Sequence, residues 1–230
     1  RNNTGTGIKH FKLNNTSGAT FTSLFNSVNA DVNVGDIIYY RVFARDNSSN
    51  HNTDSTALNQ FNIINLTTIT VGTGTTSSNF PFTTYWMDGR TQYLYLASDI
   101  SGMAGNITQI GFNFITADPA PLNGFKISMK TTTATSLTGF ETSGFTTCFA
   151  PTSYTVPGTG WQMITLTLPF VINTGNNLIV EVCYNNSSYT QYSTVNGTAA
   201  TGMYWGRYGD LSTGDGCATT TWTSSTAPTV

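Results

Sequence analysis

The sequence predicts an all-β protein, and three observations carry that prediction. Threonine makes up nearly a fifth of the residues, Asn, Gly and Ser are next, each about half as frequent, and Glu occurs only at Glu141 and Glu181. This mixture favours strands and turns over helices. Apolar residues recur with period two in short runs, and clusters of Gly, Pro, Asn and Asp separate those runs. Beyond the short stretch Ala97–Met103, no window has a helical period. With 38% hydrophobic and 13% aromatic residues, the chain can fill sizeable cores. The runs fall into two segments, 1–65 and 66–230.

In the first segment the clearest element is Gly35–Asp46. Ile37, Tyr39, Arg41 and Phe43 alternate there with Ile38, Tyr40, Val42 and Ala44. Both faces are largely apolar, which predicts a central strand of a sandwich. A polar turn over 46–54 and a closing strand over Asn59–Ile64 follow. Ile8–Leu13 and Thr20–Phe25 supply weaker strands upstream, about four in all.

The residues Gly35, Asp36, Tyr40, Ala44, Asp46 and Asn50, followed by a short strand, resemble the second half of fibronectin-type-III and immunoglobulin-like modules. Such a sandwich needs about seven strands over about 100 residues. The resemblance therefore implies a partial immunoglobulin-like domain. Two explanations stand side by side: the chain begins partway through a domain, or an open groove takes a strand from a neighbouring chain. The start at Arg1, with no Met or apolar leader, reads as a mature or excised piece.

The second segment has strand signals at Thr67–Val71, Thr91–Leu96, Ile107–Phe114, Gly124–Lys130, Trp161–Leu168 and Leu178–Val182. Between Trp161 and Leu168, Met163, Thr165 and Thr167 alternate with Ile164, Leu166 and Leu168, which predicts one buried face. A jelly-roll-like β-sandwich is expected. Three cysteines allow at most one internal disulfide. Cys183 in a strand and Cys217 after a Gly-Asp-Gly turn would close a loop of about 35 residues, stabilising by roughly 3 to 4 kcal/mol. Cys148 is then a buried free thiol.

This segment also resembles repeated modules of very large secreted surface proteins of Bacteroidetes-like bacteria, exported by the type IX route. The resemblance rests on Val71–Thr76, Tyr85–Tyr95, Val156–Trp161, Asn177–Asn185 and Gly214–Cys217. It implies an extracellular or cell-surface location and says little about activity, because such modules recur beside immunoglobulin-like domains and proteases. Neither a C-terminal sorting domain nor a closing strand follows Val230, so both ends are expected to be cut from a longer polypeptide or shared between subunits.

Charged residues are only 9% of the chain and the net charge is −2, so no basic stripe can neutralise phosphates and nucleic acid is an unexpected partner. No apolar run approaches the roughly 20 residues needed for a helical membrane span. Catalysis lacks a base or nucleophile with a partner. His51 sits in a polar turn and His10 is far from Cys148. Glu181 lies in a strand and Glu141 in a Thr/Gly-rich loop. The expectation is a protein that is not an enzyme and needs no cofactor.

Two loops place oxygen ligands close together: Asp46, Asn47, Asn50, Asn52 and Asp54 in one, Asp210 and Asp215 in the other. They are calcium candidates, although calcium wants six to eight oxygens and Asx-turns account for the same residues. The cluster Tyr204, Trp205, Arg207 and Tyr208, with Tyr189 and Tyr192 near it in sequence, is a candidate platform on which a sugar ring stacks. Its competitor is a core or interface role. Several Asn-x-Ser/Thr sites, such as Asn106 and Asn196, are expected by chance in this composition.

Two functions follow as expectations. The first is a structural module of an extracellular surface fibre or matrix, self-associating through strand edges, with β-strands shared between chains. The second is a carbohydrate-binding or adhesive module with a polysaccharide partner. An exposed, coplanar Trp205 and Tyr208 would favour the second.

Overall fold

The computed structural model describes residues 13–17, 20–22, 35–63, 67–151, 153–211, 215–218 and 222. Two compact units emerge, Arg1–Thr68 and Ile69–Val230, and all regular structure in the described residues is β.

In the first unit, β1 (Asn14–Ser17) pairs with β2 (Thr20–Thr22) in an antiparallel hairpin. Residues 8–12, 23–25 and 64, parts of the expected strands, lie outside the described residues. A second, nested hairpin contains β3 (Ile37–Tyr40), β4 (Phe43–Arg45), β5 (Thr53–Ser55) and β6 (Asn59–Asn62). Here β3 pairs with β6, and β4 with β5. The expected single strand over Gly35–Asp46 is thus broken at Arg41 and Val42. At the break, the Thr56 amide donates to the Val42 carbonyl at 3.0 Å and the Val42 amide donates to the Thr56 hydroxyl at 3.1 Å. That hydroxyl accepts where a ladder carbonyl would. Nor is the strand central: among the described residues each half has one partner strand, and Tyr39, Phe43 and Phe61 are exposed.

The second unit is a β-sandwich. Its strands are β7 (Thr76–Ser78), β8 (Asp88–Tyr95), β9 (Gly105–Thr116), β10 (Leu122–Asn123), β11 (Lys126–Thr132), β12 (Thr146–Phe149), β13 (Ser153–Tyr154), β14 (Gly160–Ile172), β15 (Asn177–Asn185), β16 (Thr194–Gly197) and β17 (Tyr204–Gly209). One sheet has the order β12-β11-β15-β8-β17 and the other β14-β9-β16-β7, while β10 and β13 form a small ladder. All pairings are antiparallel. The chain changes sheet at nearly every connection, as in a jelly-roll-like double sheet.

Between the sheets lie Ile127 and Met129 of β11, Val180, Val182 and Tyr184 of β15, Phe114 of β9, and Ile164, Leu166 and Ile172 of β14, with Phe82 and Phe125 from loops. The alternation predicted for β14 survives as far as Leu166. The β9–β14 register then shifts between Thr165 and Phe170, so burial resumes at Phe170 and Ile172 and Leu168 turns outward. The buried positions are even-numbered on both sides of the irregularity, so the strand keeps its core face and only Leu168 leaves it.

β15 is buried on both faces. Its outer residue Ile179 packs with Leu94 of β8 and Leu137 of the β11–β12 loop. This loop, residues 133–145, roofs the outer face of the five-stranded sheet. Two further expectations give way. Thr67–Val71 forms no strand; it is mostly exposed, and strand structure starts at Thr76. Ala97–Met103 is a run of turns closed by the Gly102 amide donating to the Ala97 carbonyl at 2.8 Å.

Candidate functional site

β17 carries the aromatic cluster seen in the sequence and divides it between two faces. Trp205 and Arg207 point outward. Trp205 packs against the Leu94–Leu137–Ile179 cluster, and the Arg207 guanidinium lies 4.8 Å from the Trp205 ring centroid. Tyr204 and Tyr208 point to the opposite face. Tyr204 is buried between Phe80 and Tyr93, each ring centroid 5.4 Å away, and burial pushes its phenol well above the usual tyrosine range. Tyr208 contacts Phe80 and Trp86 at 5.6 and 5.1 Å. Trp205 and Tyr208 are therefore not coplanar partners on one surface. Three residues apart on a strand, they belong to different faces.

The rings that do reach solvent together are Tyr85, Tyr189 and Tyr192, exposed by 52%, 62% and 44%. Tyr85 is the hub, with Tyr189 at 5.9 Å and Tyr192 at 6.5 Å between centroids. It also contacts Trp86 at 6.1 Å, edge to face, which joins the exposed rings to Tyr208 and Phe80 inside. Two loops carry the tyrosines, residues 79–87 before β8 and 186–193 after β15. Three hydrogen bonds hold these loops together. The Thr190 amide donates to the Thr84 carbonyl at 2.7 Å, the Thr84 hydroxyl to the Gln191 carbonyl at 2.7 Å, and the Asn186 amide to the Met87 carbonyl at 2.7 Å. Sequence reasoning saw Tyr189 and Tyr192 near the cluster and missed Tyr85.

A second exposed surface runs along β14. This 13-residue strand ends its sheet, pairing with β9 alone among the described strands, and contains no charged residue. Trp161, Met163, Leu168 and Val171 are 55%, 46%, 51% and 60% exposed. Gly111 opposite Met163 makes room for it, since a Cβ there would stand 2.4 Å from the Met163 sulfur. Near its middle β14 approaches β12 through the Thr167 hydroxyl, which donates to the Cys148 carbonyl at 2.9 Å.

The two glutamates occupy the roofed outer face of the other sheet. The Arg90 Nη2 lies 2.6 Å from Glu181 Oε2, and Arg90 Nε donates to the same oxygen at 2.8 Å. Gln92 Nε2 donates to it at 2.7 Å and to the Glu141 carbonyl at 2.8 Å, while the Glu141 amide donates to Gln92 Oε1 at 2.9 Å. The Glu141 carboxylate pairs with Lys130 at 3.1 Å, and the Phe140 ring covers the Arg90 guanidinium at 4.7 Å. Arg90, Gln92 and Glu181 are buried. This arrangement fastens a loop to a sheet. Cys148 is buried, its thiol donates to the Thr146 carbonyl at 3.3 Å, and burial pushes its pKa up, which makes it a poor nucleophile. His51 is exposed in a left-handed turn position, and His10 lies outside the described residues.

In the Asp46 loop, the carboxylate accepts from the Ser48 amide and hydroxyl and from the Asn52 amide and side chain at 2.7–3.2 Å. These bonds hold the Asp46 carboxyl below the usual aspartate range. Asp54 Oδ1 accepts from the Ser55 amide, and Asn50 is exposed in the turn. The loop is an Asx-type turn saturated by its own donors. Asp210 accepts from the Met87 amide at 3.0 Å and Asp215 from the Cys217 amide at 2.8 Å. Both help tie down the segment after β17, with Asp88 beneath accepting from the Leu211 amide at 3.0 Å. Among the described residues, no group of three or more His, Cys, Asp or Glu is arranged to hold a metal. Cys183 and Cys217 form a disulfide, with Cα atoms 5.2 Å apart. No helix among the described residues is long and apolar enough to cross a membrane.

Compared with protein-family models, curated proteins and solved structures, the chain finds no match to any of the three.

Proposed function

We propose that the chain is a non-catalytic structural module of an extracellular surface fibre or matrix, and that copies associate through the free edge of β14. The observation that carries this reading is the strand itself. Proteins blunt their sheet edges with short strands, charges, prolines or bulges. The stretch Gly160–Thr165, before the register irregularity, Pro169 and the approach of β12 at Thr167, is uncharged and shows Trp161 and Met163 to solvent. A second copy would add its own β14 to that edge. Backbone hydrogen bonds would supply affinity, and the outward apolar residues specificity. An extracellular setting agrees with the disulfide, which persists in oxidising compartments. The resemblance to repeated surface modules and the near absence of charge support the same reading.

Sedimentation velocity and negative-stain microscopy over a concentration series test it. The wild-type chain is expected to form dimers as concentration rises. A Trp161→Lys/Met163→Lys variant, keeping the wild-type circular dichroism and melting temperature, is expected to stay monomeric. A wild-type chain that remains a single species throughout the series sinks the proposal.

A further inference from the structure

We propose that Tyr85, Tyr189 and Tyr192 form a binding site for a single, soluble chain of neutral polysaccharide. The inference is independent of the β14 edge, because it concerns other residues and another ligand.

The site has three properties that select this ligand class. First, it is uncharged: the loops 79–87 and 186–193 contain no Asp, Glu, Lys or Arg. An anionic or cationic ligand would find no complementary partner on them. Second, it mixes apolar faces with hydroxyl and amide groups. Each tyrosine offers a ring face and a phenolic OH; Ser187 and Ser188 precede Tyr189, and Thr190 and Gln191 lie between Tyr189 and Tyr192 in sequence. A sugar ring offers the same mixture, with C–H groups on its face and hydroxyls at its rim. Third, the rings are held in place before any ligand arrives. The bonds across Thr84, Thr190 and Gln191 and the contact of Tyr85 with Trp86 fix the loops that carry them. A ligand therefore meets little ordering cost.

Area separates a saccharide from a protein partner. Three tyrosines of about 150–250 Å² each, at the observed exposures, present roughly 300 Å² of surface. A standard protein interface buries about 800 Å² per partner. The patch suits a few sugar units. Ring tilt narrows the choice further, because Tyr189 and Tyr192 stand at 45° and 72° to Tyr85. No flat crystalline surface can lie on all three rings at once, whereas a single chain that turns around Tyr85 can.

Affinity electrophoresis of the full chain tests the site. The gels contain one of three probes: soluble α-glucan, soluble mannan, or polygalacturonate as the anionic control. A pull-down on crystalline cellulose probes the flat alternative. The expected result is retardation by at least one neutral probe, none by polygalacturonate, and no sedimentation with cellulose. Tyr85→Ala is expected to weaken that retardation about tenfold or more, and Tyr189→Ala and Tyr192→Ala each severalfold. Tyr189→Trp, which keeps a ring face, should restore binding. The substituted side chains are 44–62% exposed, so all variants should stay folded, with melting temperatures within a few degrees of wild type. The proposal is overturned if neither neutral probe retards the chain, or if the alanine variants are retarded as strongly as wild type. Polygalacturonate retarding the chain as strongly as the neutral probes, or binding to crystalline cellulose, also overturns it.

Discussion

The Arg90–Gln92–Glu181 clasp makes a prediction in which sign and size both follow from burial. Arg90, Gln92 and Glu181 are 5%, 0% and 4% exposed, so the ion pair sits away from water beneath Phe140. Replacing Glu181 by Gln removes the buried carboxylate that Arg90 and Gln92 both grip, which costs about 3–5 kcal/mol. In a unit of this size each kcal/mol lowers the melting temperature by roughly 2–4 °C, so a fall of roughly 6–20 °C is expected. The double variant Arg90→Met/Glu181→Leu removes both charges and refills the space. It should recover to within about 2 kcal/mol of wild type, since apolar replacement of a whole buried pair is often neutral or favourable. All four tryptophans lie in the second unit, so fluorescence-detected urea unfolding of the full chain reports on that unit alone. Amide exchange adds a local reading. Gln92 grips Glu141 through both its amide and its carbonyl, so Glu181→Gln should speed exchange across residues 133–145. A loss below about 1 kcal/mol for Glu181→Gln, or a double variant as unstable as the single, would refute the view that the clasp is a desolvated ion pair holding a roof.

The disulfide and a buried aspartate supply two further predictions. Reduction, or Cys183→Ala/Cys217→Ala, opens a loop with a sequence separation of 34 and should lower the unfolding free energy by about 4 kcal/mol in the chain-entropy model; an unchanged urea midpoint after reduction, verified by thiol titration, would contradict this. Asp88 is fully buried, and burial raises its pKa above the ordinary aspartate value of 3.8, opposed by the Leu211 and Gly216 amides and helped by the charges of Asp215 and Asp210. Because the folded state holds this proton more tightly than the unfolded chain, the associated stability is fully present below pH 3.8 and is lost as pH rises through the higher folded value. Urea midpoints measured between about pH 4 and pH 7 should therefore fall less steeply for Asp88→Asn than for wild type, and identical slopes would count against the assignment.

Much of the sandwich was legible because period two is a local signal. β9, β11, β14 and β15 lie where alternation or apolar runs put them, and their ends shift by a few residues. What stayed hidden depends on partners distant in sequence. Nothing local to Leu168 reveals the register shift against β9 that turns it outward. Gly35–Asp46 reads as a central strand because both faces are apolar, yet its break depends on Thr56, ten or more residues downstream. The aromatic cluster shows an error of another kind. Period two alone divides Tyr204 and Tyr208 from Trp205 and Arg207, so the sequence already argued against one shared platform. Tyr85, by contrast, could not have been grouped with Tyr189 and Tyr192 from sequence, since about a hundred residues separate them and only the loop pairing of Thr84 with Thr190 brings them together.

The topology also decides how the two proposed surfaces relate to each other. In the order β14-β9-β16-β7, β14 is one edge of its sheet, while the tyrosine loops flank β7 and β16 at the other. A partner strand added along β14 would therefore leave the tyrosines uncovered, and the dimer proposed above would carry two saccharide sites. Each site alone is small and would hold its ligand weakly, as roughly 300 Å² of contact implies. Two sites on one dimer change that arithmetic: once one holds a polysaccharide chain, the second binds it at a high effective concentration, and avidity gains of about 10²–10⁴ need no new contact. On this geometry, weak monovalent affinity is what a matrix module requires, because its grip comes from number and its sites can each let go.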